Sequence, residues 1–219
     1  MIFFATMKVL IFRGDVVKAY QIKIQLEGLD VWRRVVMPAE VSFNALHRVI
    51  QYSMGWYNCH LYQFELGEEL VLVETSEEVE EYSWMNDMPT YDGRPRLPKT
   101  YRLSKNVKVD KYVEVGQSIP YVYDMGDYWE HVITFEKELE DYPNVYPVCL
   151  EGEGACPPED CGGVPGYLEL LEIVKDSSHP EYESVMEWLG IDEFNPTFDL
   201  EDTNYWMKEG LKLKRPKKV

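Results

Sequence analysis

The 219-residue chain sets 22 Lys and Arg against 39 Asp and Glu, a formal charge of −17, and 45% of it is apolar, with 6 Trp, 16 Tyr and 8 Phe. That apolar and aromatic share suffices for a sizeable core and excludes a disordered chain. The acidity makes non-specific nucleic-acid binding, which depends on neutralising phosphates, and adsorption to anionic membranes poor readings.

In chain order, Met1–Phe12 is the most apolar stretch. It falls short of the ~18–20 residues of a membrane span and lacks the basic leader and small-residue cleavage site of a signal peptide. A cytoplasmic protein with no membrane partner is expected, and Cys59, Cys149, Cys156 and Cys161 are expected as free thiols or metal ligands. Residues 18–26 alternate apolar and polar and predict a strand; Gly28 and Asp30 mark a turn before a second strand, Arg33–Met37. Ser42 suits a helix N-cap, Phe43, Leu46, Ile50 and Met54 follow at helical spacing, and Gly55 suits the end, predicting a helix over 43–54. His60–Leu66 alternates again as a strand. Residues 74–106, with an acidic run, three prolines and then five cations, read as an irregular, solvated excursion. Strands are predicted at Val107–Val115, and at Tyr121–Asp124 and Trp129–Glu138 as a hairpin. Tyr142–Gly166 reads as loop. Helices are predicted over Tyr167–Lys175, over Pro180–Leu189 with His179 as cap and Gly190 at its end, and over Asp199–Leu211 with Asp199 as cap. The basic tail 212–219 closes the chain. The fold class is α+β: a mixed or mostly antiparallel sheet, one helix (43–54) packed on it and a C-terminal group of three helices, in one domain over 1–219.

No glycine-rich nucleotide loop, Walker A loop, serine elbow or H-E-x-x-H motif occurs. Three groupings remain. Asp124 and Asp127 flank the predicted hairpin tip, and His131 shares an inward face with Trp129; an Asp/Asp/His cluster can hold a metal or move a proton, while Asp also caps turns through its own backbone. Cys149, Cys156 and Cys161 fall within fifteen residues rich in Pro and Gly, beside Glu159 and Asp160. Three thiolates with His131, or with the Cys59–His60 pair, would complete a tetrahedral zinc site, although the spacing is not that of a standard zinc motif; small buried cysteines or a helix-capping acidic pair are the alternatives. His47 lies on the apolar stripe of helix 43–54 and His60 is in phase with Tyr62 and Phe64, so with His131 three of the four histidines face inward, as core residues or as parts of one polar pocket. Asp124, Asp127 and His131 are thus the catalytic candidates, His47, His60, Trp129, Glu159 and Asp160 the binding candidates, and Cys149, Cys156, Cys161 and His131 the metal candidates.

The segments VWRRVVMP (31–38), ALHRVIQYSMGWYNCHLYQF (45–64), YVYDMGDYWEHVI (121–133), PVCLEGEGACPPEDCGGVPGY (147–167) and HPEYESVMEWLG (179–190), in this order, resemble the plasmid pRiA4b ORF-3-like family. The resemblance spans about 18–211, implies a compact α+β domain and supplies no established reaction. Labels given to relatives, transposon-passenger or resolvase-like, imply a mobile-element context. The leading expectation is a binding or interaction module for a protein or small-molecule ligand, with an optional structural zinc. The alternative is a metal-dependent hydrolase or nuclease-like enzyme using Asp124, Asp127 and His131, with Glu159 and Asp160 as further carboxylates. The third is a DNA-associated protein, resting on the tail and the relatives' labels.

Overall fold

A computed structural model describes residues 17–90, 94 and 97–211. The stretch Met1–Phe12, residues 91–93 and the tail 212–219 lie outside the described residues, and with the tail the feature on which a DNA contact rested. Among the described residues no helix is long and apolar enough to cross a membrane.

The first hairpin forms as its alternation requires. Strand β1, Val17–Leu26, buries Tyr20, Ile22, Ile24 and Leu26 on one face, and β2, Val31–Pro38, pairs with it antiparallel from Leu26↔Val31 to Ala19↔Pro38. Helix α1, Phe43–Met54, starts where the Ser42 side chain accepts the Ala45 amide and stops at Gly55, whose φ of 101° is cheap only for glycine. Its Phe43, Leu46, Val49 and Ile50 are fully buried in the core over the apolar sheet face.

Strands β3, Tyr62–Leu66, β4, Leu70–Val73, β5, Thr100–Leu103, β6, Ser118–Tyr123, β7, Trp129–Tyr142, and β8, Val148–Glu153, complete one eight-stranded sheet in the order β5-β4-β3-β6-β7-β1-β2-β8. It is mixed but largely antiparallel, the β4–β5 pair being parallel. At its centre Tyr121 pairs with His131 and Tyr123 with Trp129, while Tyr62 faces Tyr123 across β3–β6. The opposite face carries charge: Arg34 reaches both Glu136, at 2.8 Å, and Glu151. Three C-terminal helices follow: α3, Gly163–Val174, α4, Tyr182–Leu189, and α5, Leu200–Gly210. Asn204 of α5 bonds the Cys149 amide and carbonyl of β8 at 2.9 and 2.8 Å, which docks that helix on the sheet edge.

Several segments differ from the sequence expectation for identifiable reasons. The stretch 74–106 is not wholly irregular: it holds helix α2, Ser76–Met85, and β5. Thr75 and Glu78 form a reciprocal capping box, so the acidic run is the start of a helix, where the helix dipole favours it. Val107–Val115 is not a strand. Its valines at 107, 109 and 113 are buried from 3₁₀ turns at Ser104–Asn106 and Val109–Lys111, with a single bridge, Ser42↔Lys108. Within 142–166, β8 pairs with β2 through a bulge, and β7 runs four residues beyond Glu138. Helix α3 begins at Gly163 rather than Tyr167, and α4 at Tyr182, leaving Pro180 ahead of it; His179 Nδ1 accepts the Glu181 amide at 3.2 Å. Asp199 caps α5 as expected.

Candidate metal centre

Three loops meet beside the central strands: 55–61 after α1, 124–128 between β6 and β7, and 154–162 after β8. Tyr123 is the hub. Its hydroxyl accepts the Cys59 and His60 amides at 3.0 and 3.3 Å and donates to the Glu159 carboxylate at 3.1 Å. Burial and that carboxylate push the phenol pKa well up, so it stays a donor. The Tyr57 amide also donates to Glu159 Oε1, at 2.8 Å. Two donors from two chain segments therefore fix the Glu159 carboxylate.

His60 Nε2 is sealed from solvent and has no hydrogen-bond partner. Around it stand Asp160 Oδ1 at 3.3 Å, Glu159 Oε2 at 3.5 Å and Asp124 Oδ2 at 3.6 Å. The ligand atoms of His60, Asp124 and Asp160 lie within 4.8 Å of one another, and among the described residues this is the group of His, Cys, Asp and Glu able to hold a metal ion. Asp124 is mostly buried and turns Oδ1 to the Gly126 amide at 2.8 Å, which leaves Oδ2 for the cluster. Asp160 is the exposed side of the site, its side chain 73% accessible.

The backbone is held in sparsely populated conformations here. Among the described residues the non-glycine positions with positive φ are Asn58, Asp124, Tyr128 and Asp160, all near 58–59° and all in these three loops. Asn58, two residues before His60, is clamped by Gln51 Oε1 on its amide at 3.0 Å and by His47 Nε2 on its Oδ1. His47 Nδ1 in turn takes the Tyr121 hydroxyl at 2.8 Å and its ring stacks on Tyr62 at 3.6 Å. That network assigns the neutral Nε2–H tautomer, and burial lowers the His47 pKa to about 4.

Of the residues singled out from sequence, His60, Asp124, Glu159 and Asp160 converge. Asp127 instead accepts the Gly162 amide at 3.1 Å, which ties the β6–β7 turn to the loop after β8. His131 and Trp129 are sealed in the core; His131 Nδ1 donates to the Trp129 carbonyl at 2.9 Å, and burial drops its pKa to about 3. The expected sulfur set does not assemble with His131, because Cys149 is a strand residue of β8 while Cys156 and Cys161 pack as small apolar side chains against the core. Burial raises the Cys149 thiol to about 11 and Cys161 to about 12 and pushes Cys156 up as well, so all three are protonated thiols at neutral pH. All four converging residues are candidates from the sequence, where Asp124, Glu159 and Asp160 are grouped with Asp127 and His131 and not with His60; Tyr57, Asn58 and Tyr123 are not among the candidates. The signal for Asn58 was its residue type, since Asn tolerates left-handed backbone next to a candidate ligand.

The sequence matches the plasmid pRiA4b ORF-3-like protein family over residues 18–204. The chain belongs to that family. The pRiA4b ORF-3-like match takes in every residue of the cluster. A relative, uncharacterized protein y4hQ of Sinorhizobium fredii, is 32% identical over 183 residues, 82% of this chain and 85% of its own. A solved structure, the protein of unknown function MM3350 from Methanosarcina mazei Go1, is similar with a TM-score of 0.69 and 33% identity, over 84% of this chain and 97% of that one.

Proposed function

We propose that this chain is a divalent-metal-binding domain, with the ion held between His60, Asp124, Glu159 and Asp160, and that it serves as a binding module. The observation that carries this reading is the His60 imidazole nitrogen, sealed from water, without a hydrogen bond, and aimed between three carboxylates. A buried polar atom without a partner costs about 1–3 kcal/mol, and a cation is the group that would satisfy the nitrogen and the carboxylates together. One imidazole with carboxylate oxygens suits Zn²⁺ or Mn²⁺ better than the all-oxygen preference of Ca²⁺ and Mg²⁺. A binding role is supported by the state of the other histidines: His47 is buried with both ring nitrogens hydrogen-bonded, and His131 is sealed in the core, so neither serves a reacting group at the cluster.

Metal content of the purified chain by mass spectrometry tests the reading. Near-stoichiometric metal in wild type, lost in His60→Ala and Asp124→Asn but kept in Cys156→Ser and His131→Ala, is the expected pattern. A wild type that stays metal-free after dialysis against Zn²⁺ and Mn²⁺ overturns it. The exposure of Asp160 favours a second reading, a metal-dependent hydrolase with an open coordination position. It predicts phosphodiester or ester hydrolysis by metal-loaded protein that Asp160→Asn abolishes.

A further inference from the structure

Arg33 and Arg34 are neighbours on β2 with opposite situations. Arg34, on the solvated face, reaches two carboxylates, Glu136 and Glu151. Arg33 is 2% exposed and reaches none. The titratable groups near it are Cys156, Cys149 and Tyr167, all neutral at pH 7 because burial pushes their pKa values up. A buried charge is costly unless it is paired.

A guanidinium carries five N–H donors. Arg33 gives Nε to the Ser53 carbonyl at 2.9 Å, and Nη1 to the Trp32 and Glu153 carbonyls at 2.9 and 2.7 Å. Nη2 makes no hydrogen bond to the protein and is not sealed from solvent. Arg33 lines a cleft of about 810 Å³ between the end of α1, the loop after β8 and α5. The fold makes room for the arginine: a Cβ on Gly152 would sit 2.8 Å from Arg33 Cδ. Phe198 lies over the guanidinium at 4.2 Å, and Tyr52, Trp56 and Trp206 add flat walls.

We propose that this cleft binds a small molecule carrying a carboxylate on a flat apolar body. The carboxylate takes the two Nη2 donors and the body lies among the aromatic side chains. Asp199 and Asp202 also line the cleft, their Oδ1 atoms already accepting the Asp202 amide and the Trp206 indole. Their charge opposes any anion and a phosphate dianion most, so the guanidinium is left to favour a monoanion. The cleft contains none of the four metal-ligand candidates, although Gln51, Tyr57 and Asn58 line it and also hold the loop that carries His60.

Benzoate, benzamide and phenyl phosphate, titrated into the full chain in the presence of EDTA and followed by tryptophan fluorescence, test this. Benzoate is expected to bind saturably, with benzamide and phenyl phosphate each at least about tenfold weaker. Trp206→Ala should weaken benzoate several-fold with unchanged circular dichroism, Arg33→Gln should abolish its binding, and His60→Ala should leave it intact. Equal binding of benzoate and benzamide, or the absence of saturable benzoate binding, overturns the proposal. Should Arg33→Gln fail to fold, the arginine side-chain ¹⁵N signals of wild type decide: a buried resonance shifted by benzoate and not by benzamide supports the site, and unmoved resonances refute it.

Discussion

Replacing Asp124 by Asn separates the metal reading from the fold. Asp124 has a φ of 59°, which Asn tolerates, and its Oδ1 caps the Gly126 amide, a role an Asn carbonyl oxygen keeps. The atom that changes is Oδ2, 3.6 Å from His60 Nε2, which becomes an N–H donor where a ligand is needed. An ion present at 100 times its Kd stabilises the wild type by about 2.7 kcal/mol, which for a chain of this size raises Tm by about 5–11 °C. Without metal, the ligand oxygens of Asp124 and Asp160 crowd within 4.8 Å of each other and of the imidazole nitrogen. Removing one charge from that group relieves a repulsion of about 1 kcal/mol for charges screened as in bulk water, and about 3 kcal/mol at the lower dielectric of a protein surface, so in EDTA the variant should melt at or above the wild-type temperature. Scanning calorimetry in EDTA and then in excess Zn²⁺ or Mn²⁺ reads both effects. A variant that gains the full metal-dependent rise refutes the ligand role. A variant several degrees less stable in EDTA makes Asp124 a turn residue and nothing more.

The buried histidines predict an acid-side loss of stability. His47 and His131 sit near 4 and 3 against 6.5 in an unfolded chain. The unfolded state therefore takes up protons that the folded state refuses, and stability is full above pH 6.5 and falls as pH drops toward those lowered values. Between pH 7 and 5 each histidine gives up about 2 kcal/mol; urea midpoints of His131→Phe should fall by that much less than wild type, and an identical fall would count against the buried neutral His131. Thr75→Ala should destabilise by about 0.5–2 kcal/mol through loss of the α2 capping box, read by urea unfolding; a change below a few tenths would show that the helix does not rely on it. Gly163→Ala, with φ of 68° and a Cβ 2.6 Å from the Asp127 carbonyl oxygen, should destabilise well beyond Gly67→Ala, which has a similar φ of 65° and open space. The Gly67 change alone costs about 1–2 kcal/mol, and equal losses at the two positions would show that the Asp127 turn yields.

Legibility in the sequence followed the range of the forces involved. Elements set by local pattern were readable: the β1–β2 hairpin by alternation, α1 by Ser42, its apolar stripe and Gly55, and α5 by Asp199. Elements set by pairing were not. Strand β5 has an exposed Thr100 and Arg102 and exists because β4 accepts it in parallel, and β8 carries a Gly and two Glu yet completes the edge beside β2. Acidic residues misled at α2, because charge density alone does not distinguish a solvated loop from a favourably charged helix start. At the candidate site, residue types and the carboxylates Asp124, Glu159 and Asp160 were legible, and the place of His60 among them was not. Cysteines drew attention by concentration, but thiols pack as well as they ligate. The convergence of His60, Asp124 and Glu159–Asp160 follows from β3, β6 and β8 loops meeting across a sheet, which sequence spacing does not encode.

The strand order also sets a problem during synthesis. The β1–β2 hairpin leaves the ribosome first, but its two neighbours are β7 on one side and β8 on the other. About 90 residues separate the end of β2 from the start of β7. At about 5–20 residues per second, the nascent hairpin shows two bare strand edges for roughly 5–20 s. Chains cut short before residue 129 carry those edges permanently and aggregate, and the complete chain profits from slow cooling of the culture or a nascent-chain chaperone that covers the hairpin until its partners emerge.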